Sequence, residues 1–518
     1  MGSSGATNAS SATPSTISST DRWGKGTGSG RCDLEGVGGA QFEFGHELVE
    51  GDAAVAGRDA KRGQGPDRQG VLLAGGFLVE PVQDRGDAAL YTEPIDLQRT
   101  TWNDGRSALP RPSFAAWKYP ATHDLNRPSL RRHCSPTKEI SMDPCLQPAR
   151  ATKAAVLRSP EGRFELEEVA LPELGIDEVL VRIAGAGFCH TDLLPRTRGR
   201  FGQPPVILGH ESSGVVQKVG PQVTDLRAGD HVVASYRSCG SCVRCRNGRL
   251  PYCERFWELN FSGAPRGEAV AHDTAGDSVA SRWFGQSSFA THAVIRAESL
   301  VRVDNNLPLE LLAPLGCSVL TGAASILEAL AVAPGMSVAI FGTGAVGLVA
   351  VMAARIAGAT TICAVDANRH RLTRAEQYGA NLTVDSRAGN LDTLMRRATP
   401  ADGFDVCLDT TGAADIISCA VDALSVVGVC GLLGSPRGDL RLGATALASG
   451  RTIRGLLFGD AVPRRDLPQL IELWKAGQLP FDELVQKYPL AAINEAEQDF
   501  RSGQVIKPVL LPDHTANP

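Results

Sequence analysis

The sequence has no long basic block, no unbroken apolar run of membrane-spanning length, and no charged-then-apolar leader at its start. With a formal charge of −5 over 518 residues, nucleic acid is not expected as a partner. The longest uncharged stretch, Ala329 to Ala354, passes a simple length test for a bilayer span. Pro334 and Gly335 interrupt it early, and SVAIFGTGAVGLVAVMAARIAG reads better as strand, glycine turn and buried helix, so a membrane is not expected either. Thirteen cysteines, spread thinly and preceded by no leader, do not make the dense disulfide framework of a small secreted domain. A reduced, cytoplasmic setting is expected. What is present is a 43% hydrophobic chain, long enough for two or three domains with real cores.

Residues 1–141 stand apart from the rest. MGSSGATNASSATPSTISSTDRWGKGTGSG lacks apolar periodicity, and GDAAVAGRDAKRGQGPDRQG is charged and glycine-broken, so this extension is expected to be disordered. Met142 then opens a regular, strand-like sequence. Either translation begins there and the first 141 residues are a gene-start artefact, or they form a genuine unstructured extension; the intact mass of native protein separates the two. Residues 142–318 carry short alternating strands such as TKAAVLR, EVLVRIAGAGF and GDHVVASY, which predict a compact, mostly β domain. Residues 319–456 alternate strand and helix, from SVAIFG and AVGLVAVMAARIAG to VGVCGLLG. That order predicts an α/β domain with a doubly wound parallel sheet. Residues 457–518 read as a return to the first domain.

FGTGAVGL sets Gly342, Gly344 and Gly347 in G-x-G-x-x-G spacing between predicted strand and helix, and Asp366 ends the next strand nineteen residues beyond Gly347. The first glycine permits a tight turn, the second close backbone approach to a pyrophosphate, and the third close helix packing. The helix N-terminus favours the negative charge, and Asp366 can accept hydrogen bonds from ribose hydroxyls. A carboxylate there repels a 2′-phosphate, so NAD is favoured over NADP. Arg369 and Arg371 weaken that preference slightly, and Arg371 is counted among the cofactor-binding residues.

Cys239, Cys242, Cys245 and Cys253 follow C-x2-C-x2-C-x7-C. Four thiolates so spaced suit tetrahedral zinc, and a closed set of four leaves no position for chemistry, so this site is expected to be structural. Disulfides are the competing reading, which a reducing compartment disfavours. Upstream, GFCHTD and LGHESSG place Cys189 and His210 some twenty residues apart, a spacing that does not by itself define a site.

GFCHTD, GHESSGVV, the four-cysteine lobe, PLGCSVLTG and FGTGAVGL occur in this order, and together they resemble the zinc-dependent medium-chain alcohol dehydrogenase family. The resemblance runs from about Lys153 to Leu511. Segments such as FGQSSFATHAV and IELWKAGQLPFDELV look most like bacterial NAD-dependent aryl-alcohol (benzyl alcohol) dehydrogenases. It implies a GroES-like catalytic domain, a Rossmann cofactor domain, one catalytic and one structural zinc, NAD, and a homodimer or homotetramer acting on a small-molecule alcohol. Cys189, His210 and Cys317 match the catalytic zinc ligands. Glu211 matches an acid beside the zinc, Asp192 the carboxylate orienting the ligand histidine, and Thr191 the hydroxyl taking the alcohol proton. Thr321 matches a residue near the nicotinamide, and Lys507 a basic contact to the pyrophosphate. The implied reaction is reversible oxidation of a primary aromatic alcohol by hydride transfer to NAD.

Two positions depart from the pattern. Leu194 stands where better-known members have a histidine ending the proton relay, which leaves His190 as a substitute base or as a phosphate contact only. Ser318 replaces a frequent glycine. Competing functions are a terpenoid or allylic alcohol dehydrogenase of the geraniol or perillyl type, and a glutathione-dependent formaldehyde dehydrogenase. A polyol dehydrogenase is disfavoured by Cys317. From another class, a non-catalytic nucleotide-binding redox sensor would need no open zinc.

Overall fold

The computed structural model describes residues 151–197 and 201–515; the expectations for residues 1–141 and for a start at Met142 lie outside the described residues. The β-rich part is built from two sheets. The smaller orders Val206–Ile207, Ala151–Leu157, Phe164–Ala170, Ala271–Asp273 and Ser278–Val279. The larger runs Leu300–Val303, His231–Ala234, Glu211–Val219, Glu178–Gly187, Lys507–Leu511 and Val485–Pro489, with His292–Arg296 also paired to Glu178–Gly187. The last strand of the chain thus lies in this sheet, with Val509 opposite Gly187 and Leu510 opposite Ala186. An aromatic core of Phe164, Phe188, Phe289, Trp283 and Phe284 fills its interior.

The second part is a six-stranded parallel sheet in the order Leu382–Asp385, Thr361–Asp366, Ser337–Phe341, Phe404–Asp409, Leu424–Leu432, Thr452–Gly455. Its first strand, SVAIF, is buried throughout. Val338 and Ile340 enter one core while Ala339 and Phe341 enter the other, because successive side chains point to opposite faces and both faces are covered. The chain order reverses beside this strand, which sets a ligand crevice at its C-terminal end. This is the GroES-like plus Rossmann architecture expected from the sequence. Elements that had gone unmarked here include Leu382–Asp385, the helix Leu391–Ala398 and Thr452–Gly455. The two strands are short and bury one residue, Val384, and none, so neither carries a strong alternating signal; the helix does carry one, with Leu391, Leu394, Met395 and Ala398 at i, i+3, i+4 and i+7 facing the core. Among the described residues no helix is long and apolar enough to cross a membrane.

Candidate active site

Strand Glu178–Gly187 delivers Phe188 and then Cys189, which opens the short turn His190–Leu193. Beside it, Gly209 at φ +92° turns the chain into strand Glu211–Val219; a Cβ there would lie 2.7 Å from the Phe289 nitrogen, so glycine is required. Cys317 caps the helix Ser318–Ala324. These segments bring one ligand atom each from Cys189, His210, Glu211 and Cys317 within 4.8 Å of one another.

The donor set separates by hydrogen bonding. His210 Nδ1 lies 2.9 Å from Asp192 Oδ1, whereas the buried Nε2 has no hydrogen-bond partner among the described residues. Both Glu211 oxygens are taken, by Lys507 Nζ at 3.0 Å and by the Ser318 N–H at 3.2 Å. Two sulfurs and one imidazole nitrogen are therefore left to hold a metal, which fits zinc with an open fourth position. Alcohol dehydrogenase is itself the type case of that donor set, so the agreement adds no independent support.

The electrostatics match. Burial opposes charge on His210, but Asp192 and Cys189 outweigh it and push its pKa up to about 10. The Cys189 thiol is held well below the ordinary range by its hydrogen bond with Cys317, whose own thiol is pushed well above it. Burial raises Glu211 to about 7 against the pull of Lys507. A divalent cation answers such a field.

In the lobe, Cys239, Cys242, Cys245 and Cys253 converge in the same way. The N–H groups of Cys239, Cys242 and Cys245 point at the sulfurs of Cys253, Cys239 and Cys242 at 3.3, 3.3 and 3.5 Å. The sulfurs of Cys239 and Cys245 lie 3.9 Å apart and those of Cys242 and Cys245 3.5 Å, so all four thiols are free. The four donors fit a closed tetrathiolate site.

In the crevice each glycine has its own reason. A Cβ on Gly342, at φ +87°, would meet Thr410 Oγ1 at 2.4 Å, and one on Gly347 would meet the Gly342 carbonyl at 1.9 Å. Gly344 faces open space and caps the helix Ala345–Ile356, a cradle shaped for phosphate. Asp366 does more than sequence suggested: its Oδ2 accepts from the Thr343 N–H and hydroxyl and its Oδ1 from Asn368 N–H, so it also braces the glycine loop.

His190 is solvent-accessible, but its ring packs 4.6 Å from that of Phe500. Desolvation of the packed side lowers its pKa, and Lys507, Arg371 and Arg437 add to this against Cys189. Arg371 belongs to the cofactor domain, as does Arg437, which donates to the Thr411 carbonyl at 3.2 Å. Three cations of the kind an anionic pyrophosphate needs thus act on the turn that carries Cys189. Lys507 calls for a correction of emphasis. It was placed at the pyrophosphate, yet its buried ammonium is engaged by Glu211 and by the Phe188 carbonyl at 3.1 Å. Thr191 is half-buried, its hydroxyl without a hydrogen bond among the described residues, and Thr321 is buried one helical turn after Cys317. Leu194 packs on the aromatic core. Sequence reasoning missed Trp283, whose indole N–H reaches Asp192 Oδ1 at 3.0 Å, and Gln286, which donates to the His210 carbonyl at 2.9 Å. Neither carries a motif.

Residues 175–305 match the model of the alcohol dehydrogenase GroES-like domain, and residues 345–476 that of the zinc-binding dehydrogenase. A geraniol dehydrogenase of Castellaniella defragrans is 42% identical over 369 residues, 70% of this chain and 98% of that protein. Among solved structures, the alcohol dehydrogenase zinc-binding domain protein from Burkholderia ambifaria is 44% identical with TM-score 0.68. The benzyl alcohol dehydrogenase from Acinetobacter calcoaceticus is 38% identical with TM-score 0.66, and each of the two covers 70% of this chain and 100% of its own. With both domain models matched in order and a relative aligned over nearly its whole length, the chain belongs to the zinc-dependent medium-chain alcohol dehydrogenase family.

Proposed function

We propose that the protein oxidises a primary aromatic alcohol to its aldehyde with NAD, reversibly, using one catalytic and one structural zinc per chain. The observation that carries this reading is the buried His210 Nε2, without a hydrogen bond among the described residues and in one cluster with Cys189 and Cys317. Zinc supplies a Lewis acid that loosens the alcohol proton, and nicotinamide accepts the hydride. The chain's own residues do the rest. Asp192 fixes the ring of His210 so that Nε2 points inward. The Thr191 hydroxyl takes the alcohol proton, and His190 passes it to solvent. Glu211 and Lys507 hold the Cys189 turn against strand Glu211–Val219. Thr321, buried in the helix after Cys317, would border the nicotinamide. Gly342, Gly344 and Gly347 cradle the pyrophosphate under the field of Arg371, and Asp366 receives the ribose and disfavours a 2′-phosphate.

An aromatic substrate is supported by the similarity to a benzyl alcohol dehydrogenase. A terpenoid alcohol is the second reading, favoured by the similarity to a geraniol dehydrogenase. Two thiolate clusters call for a reducing, cytoplasmic setting. A homodimer or homotetramer is in keeping with the exposed Val426, Val427 and Leu447 near the sheet edge, and sedimentation would count the subunits.

The test is NADH formation, comparing kcat/KM for benzyl alcohol, geraniol and ethanol. Benzyl alcohol is expected to lead; a lead for geraniol moves the substrate class to terpenoids, and no turnover with both zincs bound overturns the activity. In the same assay His190→Gln is expected to shift the pH–rate profile, and an unchanged profile removes His190 from proton transfer.

A further inference from the structure

We propose that Trp283 is a positioning residue for the catalytic metal, acting through Asp192 on His210. This rests on the reading of Cys189, His210 and Cys317 as ligands. Asp192 is fully buried, and its Oδ1 accepts three N–H groups: His210 Nδ1 at 2.9 Å, the Trp283 indole at 3.0 Å and the Gly209 backbone at 3.1 Å. Among the described residues Oδ2 accepts the Cys189 N–H alone, at 3.2 Å. The backbone donors belong to the ligand segments themselves and move with them. The indole is, among the described residues, the one donor to Asp192 that comes from a separate element, and it anchors the carboxylate to the core.

The indole is itself immobilised. Trp283 is 0% exposed and meets Phe261 and Phe284 edge-on, at 5.6 Å with an interplanar angle of 86° and at 5.5 Å with 70°. Its six-membered ring lies so close to Gly202 that a Cβ there would sit 2.9 Å from Cζ3. The Trp283 backbone N–H donates to the Ser287 hydroxyl at 2.9 Å, which donates to the Ile207 carbonyl at 2.6 Å. The same short segment also holds His210 directly, through the tilted Phe284 ring at 4.7 Å and Gln286 on its carbonyl. Phe284 adopts φ +51°, a conformation costly for a bulky residue, so the surrounding contacts must hold it there. A rigid donor of this kind fixes the azimuth of the carboxylate, hence of the imidazole and of Nε2. Phenylalanine fills most of the slot and supplies no donor.

The experiment is metal release from the zinc-loaded protein. Wild type should yield two kinetic classes with a chromogenic chelator, and a wild type that binds only one zinc or none would overturn the ligand assignment rather than this inference. With both classes present, Trp283→Phe is expected to weaken retention of one class by roughly ten- to a hundredfold, as outer-shell partners of zinc ligands do, and to leave the other unchanged. In an Asp192→Asn background the same substitution should add little. Cobalt in the weakened site should show a displaced visible spectrum in Trp283→Phe. Unchanged release and spectrum, with or without a lower melting temperature, would make Trp283 a packing residue and sink the inference. Should Trp283→Phe not fold, benzothienylalanine at 283, which keeps the indole shape without the N–H, decides by the same two readouts.

Discussion

Lys507 makes three hydrogen bonds beside the Cys189–His210–Cys317 cluster, two to the Glu211 carboxylate and one to the Phe188 carbonyl. Removing one partner of a buried pair strands the other charge, which costs about 3–5 kcal/mol. Lys507→Met is therefore expected to lose that much in denaturant unfolding at pH 8, and the double variant with Glu211→Gln to recover part of it. The sign of the pH dependence is fixed by Glu211. Burial lifts its pKa from 4.5 to about 7, so its protonated form favours the fold at low pH and that advantage is lost as pH rises through about 7. The Lys507→Met deficit should accordingly shrink toward pH 5, where Glu211 needs no counter-charge; a deficit independent of pH would mean that the lysine acts by packing. Sequence could not show this pair, because 296 residues separate its members, just as Cys317 had no local signal. The four lobe cysteines were legible because their ligand geometry is local.

Within the glycine loop, the structure assigns different consequences to neighbouring positions. Gly347 touches the Gly342 carbonyl, so Gly347→Ala must push helix from strand, at about 1–3 kcal/mol of stability. Gly344 touches nothing, so Gly344→Ala is expected to melt like wild type and to lose NAD affinity, since its methyl would occupy the space for phosphate. Calorimetry and NADH titration of both variants test this, and the opposite ranking would refute the division of labour. Elements with strong periods, such as the strand Ser337–Phe341 and helix Ala345–Ile356, were legible within a residue or two. The short strands Leu382–Asp385 and Thr452–Gly455 were not, since one buried residue or none gives no alternation to distinguish them from loops; the helix Leu391–Ala398 was legible in its i, i+3, i+4, i+7 spacing and went unmarked. Asp366 illustrates the same limit: spacing located it, but its bonds to Thr343 depend on tertiary placement.

Across the whole molecule, the four-cysteine lobe is tied to the cofactor domain. The Tyr252 hydroxyl donates to Asp460 Oδ1 at 2.6 Å, and Asp460 in turn pairs with Arg454 on the edge strand Thr452–Gly455. Asp460 takes φ +62°, a left-handed conformation in which the strut holds it. Tyr252→Phe removes one charge-assisted hydrogen bond and is expected to lower stability by about 1.5–3 kcal/mol, toward the lower figure because Tyr252 is only half-buried. Chelation of the lobe zinc should make wild type and variant converge, because the strut has no anchor once the lobe loosens; a gap that persists without zinc would separate the two. The strand Lys507–Leu511 has a further consequence, for biosynthesis. A ribosome translating this chain has finished Cys189, His210 and Cys317 while the lysine that steadies them is still unmade, 319 residues after the carbonyl it will bind. The cluster therefore cannot close until that strand has been made, so a chain stopped short of residue 507 carries Cys189, His210 and Cys317 without the lysine that steadies them.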